Sequence, residues 1–83
     1  MELVLSPATI KKLKKIHPSD RKKVESKLSK LEKSPFAGKP LQGDHEGQYT
    51  LRAWPLRIIY TFDSDTQIIR VITIDYRGDV YKK

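Results

Sequence analysis

The stretch Tyr49–Tyr81, YTLRAWPLRIIYTFDSDTQIIRVITIDYRGDVY, decides how this chain folds. Apolar residues alternate with polar ones at a period of two, and β-branched and aromatic types dominate, the pattern of half-buried strands. Three runs result, Tyr49–Ala53, Leu56–Phe62 and Ile68–Ile74. Trp54-Pro55 and Asp63–Thr66 read as their turns, and Val80-Tyr81 adds a final short strand after the Arg77-Gly78-Asp79 turn. Arg52, Arg57 and Arg77 interrupt these otherwise apolar segments. Arginine suits a phosphate, because its planar fork is always charged and donates parallel hydrogen bonds.

With Trp54-Pro55 as a two-residue loop, residue 53 faces 56, 52 faces 57, 51 faces 58 and 49 faces 60. One face of the hairpin then carries Leu51–Ile58 and Tyr49–Tyr60; the other carries Thr50–Ile59 and Arg52–Arg57. Like charges directly opposite one another destabilise a sheet. Either an anion sits between the two arginines, or they splay to solvent or pair with Asp44, Glu46 or Asp75. A two-residue loop at Ser64-Asp65 would set Tyr60 against Ile69 and Ile58 against Val71. Arg70, Ile72 and Ile74 would then join Arg57 on the open face. Strict alternation puts Arg77 on the core side unless the chain bends near Asp75-Tyr76 or Gly78.

Upstream, Glu2–Leu5 reads as a first strand. Ser6-Pro7 starts a helix, with Ser as N-cap and Pro at the first helical position. Ile10, Leu13 and Ile16 share one face, and His17-Pro18 ends the helix. A second helix opens at Pro18-Ser19-Asp20, carries Val24, Leu28 and Leu31 on a narrow apolar stripe, and stops at Ser34-Pro35. Residues 34–48 form a loop that Phe36 and Leu41 pin to the core. The fold class is α+β: a short strand and an αα-hairpin packed on one face of an antiparallel sheet of three to five strands.

Eighty-three residues make one small domain, 1–83, with a thin core. The absence of cysteine excludes disulfides and thiolate metal sites and fits a cytoplasmic location. No apolar run is long enough to span a membrane, and MELVLSPATI is not a signal peptide. The net charge of +7 lies wholly in residues 1–40, which hold eleven Lys/Arg and four Asp/Glu, whereas residues 41–83 hold six of each. This lysine-rich surface either attracts a polyanion or simply solvates the helices.

Taken together, a strand, two amphipathic helices, LQGD, LR…PLRIIYTFD and a YRGDVY ending resemble the RelE/ParE toxin superfamily of type II toxin–antitoxin systems, on its RelE-like mRNA interferase branch. Members show an LKG-like step, a YRIIY-like central strand and an HRRDVY-like C-terminal signature. The resemblance implies a microbial RNase-like fold and a toxin encoded beside an antitoxin. RelE-like members cut mRNA in the ribosomal A site; ParE-like members inhibit DNA gyrase on a similar scaffold. By this resemblance Arg57, Arg77 and Tyr81 are the catalytic residues, and Arg52 occupies a basic position on the preceding strand. Thr50 and Arg52 stand where relatives often have two lysines, and Tyr76 stands where many have histidine or lysine.

The implied reaction is attack of a ribose 2′-OH on the adjacent phosphorus, with no metal and no cofactor. Arg57 and Arg77 would stabilise the phosphate charge. Tyr81, Tyr76 and Arg52 are the candidates for proton transfer, Tyr81 preferred as acid or orienter. Lys11, Lys14, Lys15, Lys22 and Lys23, with Arg52, would hold RNA backbone. His17 reads as a helix cap or an exposed residue, and His45 as a base only if its loop folds over the site. No His/Asp/Glu spacing suits a metal, and no glycine-rich phosphate loop is present. The expected partners are the ribosome, mRNA and an acidic cognate antitoxin from an adjacent gene. The alternatives are a ParE-like gyrase inhibitor and a catalytically inactive RNA-binding module.

Overall fold

The computed structural model describes residues 2–41, 43 and 47–76. Along the chain these form β1 (Glu2–Leu5), α1 (Pro7–Lys15), α2 (Pro18–Lys33), β2 (Lys39–Pro40), β3 (Tyr49–Ala53), β4 (Leu56–Asp63) and β5 (Ile68–Tyr76). One five-stranded sheet results, in the order β1-β5-β4-β3-β2, and the helices pack on one of its faces. Arg77, Tyr81, His45, Asp44, Glu46 and the Val80-Tyr81 strand lie outside the described residues.

Both helix starts follow from their cap residues. Ser6 Oγ accepts from the Thr9 amide at 3.1 Å, and Pro7 opens α1. His17 caps α2 in the same way, its Nδ1 accepting from the Ser19 amide at 3.2 Å. Arg21 of α2 then reaches back, donating from Nε to Leu13 O and from a terminal nitrogen to Lys14 O, both at 3.0 Å. It thereby satisfies carbonyls that the end of α1 leaves open.

The core lies between the α2 stripe (Val24, Leu28, Leu31) and the sheet face bearing Leu51, Ala53, Leu56, Ile58, Tyr60, Ile69, Val71 and Ile74. Tyr60 is fully buried, and its hydroxyl donates to Pro35 O at 2.7 Å and accepts from the Gly38 amide at 2.9 Å. Burial raises its pKa above the ordinary value for tyrosine, so it is a structural phenol.

Three features of the sheet differ from the sequence reading. The sheet is mixed rather than antiparallel, because β1 pairs parallel with β5, Glu2 opposite Ile68 through Leu5 opposite Val71. The β4–β5 loop has four residues, 64–67, so Tyr60 meets Val71 and Phe62 meets Ile69. Asp63 stabilises this longer turn, its Oδ1 accepting from the Asp65 amide at 2.9 Å, while Gln67 takes a left-handed φ of 60°. Finally, Ile59 pairs with Thr73 and Tyr60 with Val71, which leaves Ile72 as the extra residue of a β-bulge. The bulge reverses the alternation, so Ile74 is buried opposite Ile58 rather than on the open face. Thr9, itself fully buried, donates from Oγ1 to the Ile72 carbonyl at 3.0 Å and secures α1 to the bulge.

Phe36 is not a core plug. It is 65% exposed, with its ring edge-on to Phe62 and Tyr49 at 5.5 and 6.3 Å. Leu41 is half-buried.

Candidate functional site

The β3–β4 hairpin keeps the expected register: Arg52 stands opposite Arg57, and Ala53 opposite Leu56 closes the loop at Trp54-Pro55, whose peptide is cis. Ala53 and Leu56 are buried on the helical side, so the arginines are directed by alternation to the other side. Arg52 is exposed and Arg57 half-buried.

Strand β2 covers β3 only at Tyr49 and Thr50. Beyond it opens a groove of about 340 Å³, lined by Arg52, Arg57, Thr50 and Leu51 of the hairpin, Ala37 and Gly38 of the loop before β2, Lys39 of β2, and Lys27 of α2. Four cations line it and no acid does. Thr50 Oγ1 is buried there without a hydrogen-bond partner among the described residues. A groove with fixed cations and a spare hydroxyl can take an anion of phosphate size, which neutralises the Arg52–Arg57 repulsion.

Lys27 and Lys39 were not candidates in the sequence reading. Lys27 carried a signal: three positions from Val24 and four from Leu31, it flanks the apolar stripe, where a lysine stem can lie along the edge of the core. Of the expected RNA-binding residues, Lys11, Lys14, Lys15, Lys22 and Lys23 are all exposed on the helices, and none lines the groove. Tyr76 does not join Arg57. It pairs with Leu56 on the helical side, and its hydroxyl donates to Asp20 Oδ2 at 3.4 Å. Asp75, half-buried, is the residue opposite Arg57 on β5. Among the described residues no three His, Cys, Asp or Glu gather as metal ligands would, and no helix is long and apolar enough to cross a membrane.

Residues 3–81 match the family model for the ParE toxin of type II toxin–antitoxin systems. The chain belongs to this family. Toxin RelG of Mycobacterium tuberculosis is 28% identical over 61 residues, 72% of this chain and 70% of the relative. The toxin–antitoxin complex RelBE2 from the same organism superposes with a TM-score of 0.82 at 23% identity, covering 92% of this chain and 96% of that one. The intact Escherichia coli RelBE toxin–antitoxin complex gives a TM-score of 0.77 at 22% identity, over 90% and 94% of the two chains. These structures establish the fold as RelE-like, two helices on a five-stranded mixed sheet.

Proposed function

We propose that this protein is the toxin of a toxin–antitoxin pair and acts as a ribosome-dependent endoribonuclease, cleaving mRNA in the A site. The acid-free groove around Arg52 and Arg57 carries this reading. A scissile phosphate seated there would be held by both guanidinium groups, with Lys27 and Lys39 on adjoining phosphates. The 2′-OH attacks phosphorus in line and the 5′-oxygen leaves, chemistry that needs no metal or cofactor. Arg57 and Arg52 stabilise the charge that grows on the phosphoryl oxygens. Arg77 and Tyr81 complete the proposal as second arginine and proton donor.

The exposed lysines of α1 and α2 would bind ribosomal RNA backbone, away from the groove, and bring the toxin to the A site. The partner that silences it is a cognate antitoxin, acidic to complement the +7 chain. Solved relatives are toxin–antitoxin complexes, which supports that pairing. The setting is cytoplasmic.

The test is to express the chain and map mRNA 5′ ends and chromosomal breaks together. In-frame mRNA cuts that disappear in Arg57→Ala are the expected result. Double-strand DNA breaks with intact mRNA would replace this reading with gyrase inhibition, the ParE-like alternative.

A further inference from the structure

At the opposite edge of the sheet from β2, strand β1 ends at Leu5 and covers β5 only as far as Val71. Lys12 of α1 reaches the uncovered part of β5. Its Nζ lies 2.6 Å from Asp75 Oδ1 and donates to Thr73 Oγ1 at 3.0 Å. Thr73 Oγ1 in turn donates to Asp75 Oδ2 at 2.6 Å. Both carboxylate oxygens are thus engaged, and the side chain is fixed. Directly across the ladder stands Arg57. Residues so paired have Cβ atoms about 4.5–5.5 Å apart. Arg52, Arg57 and Asp75 therefore form one row across β3, β4 and β5.

We propose that Asp75 is a positioning residue for Arg57. Its carboxylate, clamped by Lys12 and Thr73, sets a fixed acidic group, its charge shared with Lys12, on the far side of Arg57 from Arg52. It offsets the repulsion within the arginine pair before a phosphate arrives, and limits the directions in which the Arg57 guanidinium can point. Lys12 serves by holding Asp75, not by touching RNA. The proposal rests on the reading of the groove as the phosphate site. It explains why a row built to attract an anion ends in an acid: the acid lies outside the groove lining and opposite, on β5, the arginine that must be aimed.

This predicts a split that loss of stability does not produce. Asp75→Asn removes a negative charge near an anion site, so binding holds or tightens, while poorer aim slows the chemistry. The experiment measures single-turnover mRNA cleavage on programmed ribosomes for wild type, Asp75→Asn, Asp75→Glu and Thr73→Val. In parallel, the Arg57 Nε–Hε signal is followed by NMR as inorganic pyrophosphate is added. Asp75→Asn should cut the saturating rate about tenfold, because small misplacements of a catalytic group are costly, with an unchanged or lower half-saturation point. Asp75→Glu should restore most of the rate. Thr73→Val, which keeps the charge but releases one oxygen, should fall between, and it decides the matter should Asp75→Asn not fold. The Arg57 signal should shift in Asp75→Asn before any pyrophosphate is added. A wild-type rate in Asp75→Asn, or an Asp75→Glu variant as slow as Asp75→Asn, would overturn the proposal. Were wild type to cut no mRNA, the nuclease reading would fall, and the NMR titration alone would decide: an unmoved Arg57 signal in Asp75→Asn sinks the positioning role.

Discussion

Arg52 and Arg57 face each other at one rung of the β3–β4 hairpin, two like charges where a sheet favours opposite ones. The ligand-free protein bears the part of this repulsion that Asp75, opposite Arg57 on β5, does not offset, and a bound phosphate would relieve it. Arg52→Ala should therefore stabilise the free protein by about 0.2–1 kcal/mol while weakening its grip on RNA. Thermal melts with and without a short uncleavable RNA check both signs. A variant that loses stability and keeps RNA binding would contradict the groove's role.

Tyr60 joins the sheet to the loop that forms the groove wall. Its hydroxyl holds Pro35 O and the Gly38 amide within the protein interior. Tyr60→Phe leaves both groups unsatisfied at little change in volume, so it should cost about 1–3 kcal/mol. Urea denaturation measures this directly, with the midpoint falling and the slope unchanged.

Gly38 is required for lack of space. A Cβ there would lie 2.6 Å from Thr50 O and 2.7 Å from the Tyr60 hydroxyl. The first neighbour is backbone and cannot yield without moving β3. Gly38→Ala should cost about 1–3 kcal/mol, as overpacking does, and should reduce RNA binding more than a neutral change on the exposed face of α2 such as Ser29→Ala. Equal effects of the two variants on binding would remove Gly38 from the groove.

Asp75 gives the acid limb of stability a particular cause. Burial pushes its carboxyl up, but hydrogen bonds from Lys12 and Thr73 and the Lys12 charge outweigh that and hold the pKa below the ordinary value. A group whose folded pKa is depressed adds stability above its unfolded pKa, near 3.9, and loses it as pH falls through the lower folded value. Stability should thus fall below about pH 4 in wild type, and that part of the fall should be absent in Asp75→Asn. The ion pair is half exposed, so its contribution is small, up to about 1 kcal/mol. Denaturation midpoints across the acid range for the two proteins test it.

Much of the candidate site was legible because its centre is local. The Arg52–Arg57 pairing needs only a two-residue loop and strict alternation over nine residues, and both hold. Lys27 and Lys39 were missed because their approach to the arginines depends on how α2 and the loop close over the edge of β3. Tyr76, a candidate for proton transfer, pairs with Leu56 on the helical side rather than joining Arg57, since the register after residue 72 depends on a bulge.

The sequence by itself determined the two helices, their caps and the strands of Tyr49–Tyr76, since caps, turns and periodicity are set by residues a few positions apart. The parallel docking of β1, the bulge at Ile72 and the Lys12–Asp75 pair, 63 positions apart, were decided only in the tertiary structure. A period-two pattern does not reveal an extra residue inserted opposite one partner, and it says nothing of which distant chain will take an open edge. Those outcomes are chosen by the packing of the whole core, where burying Ile74 and Thr9 outweighs keeping a regular ladder.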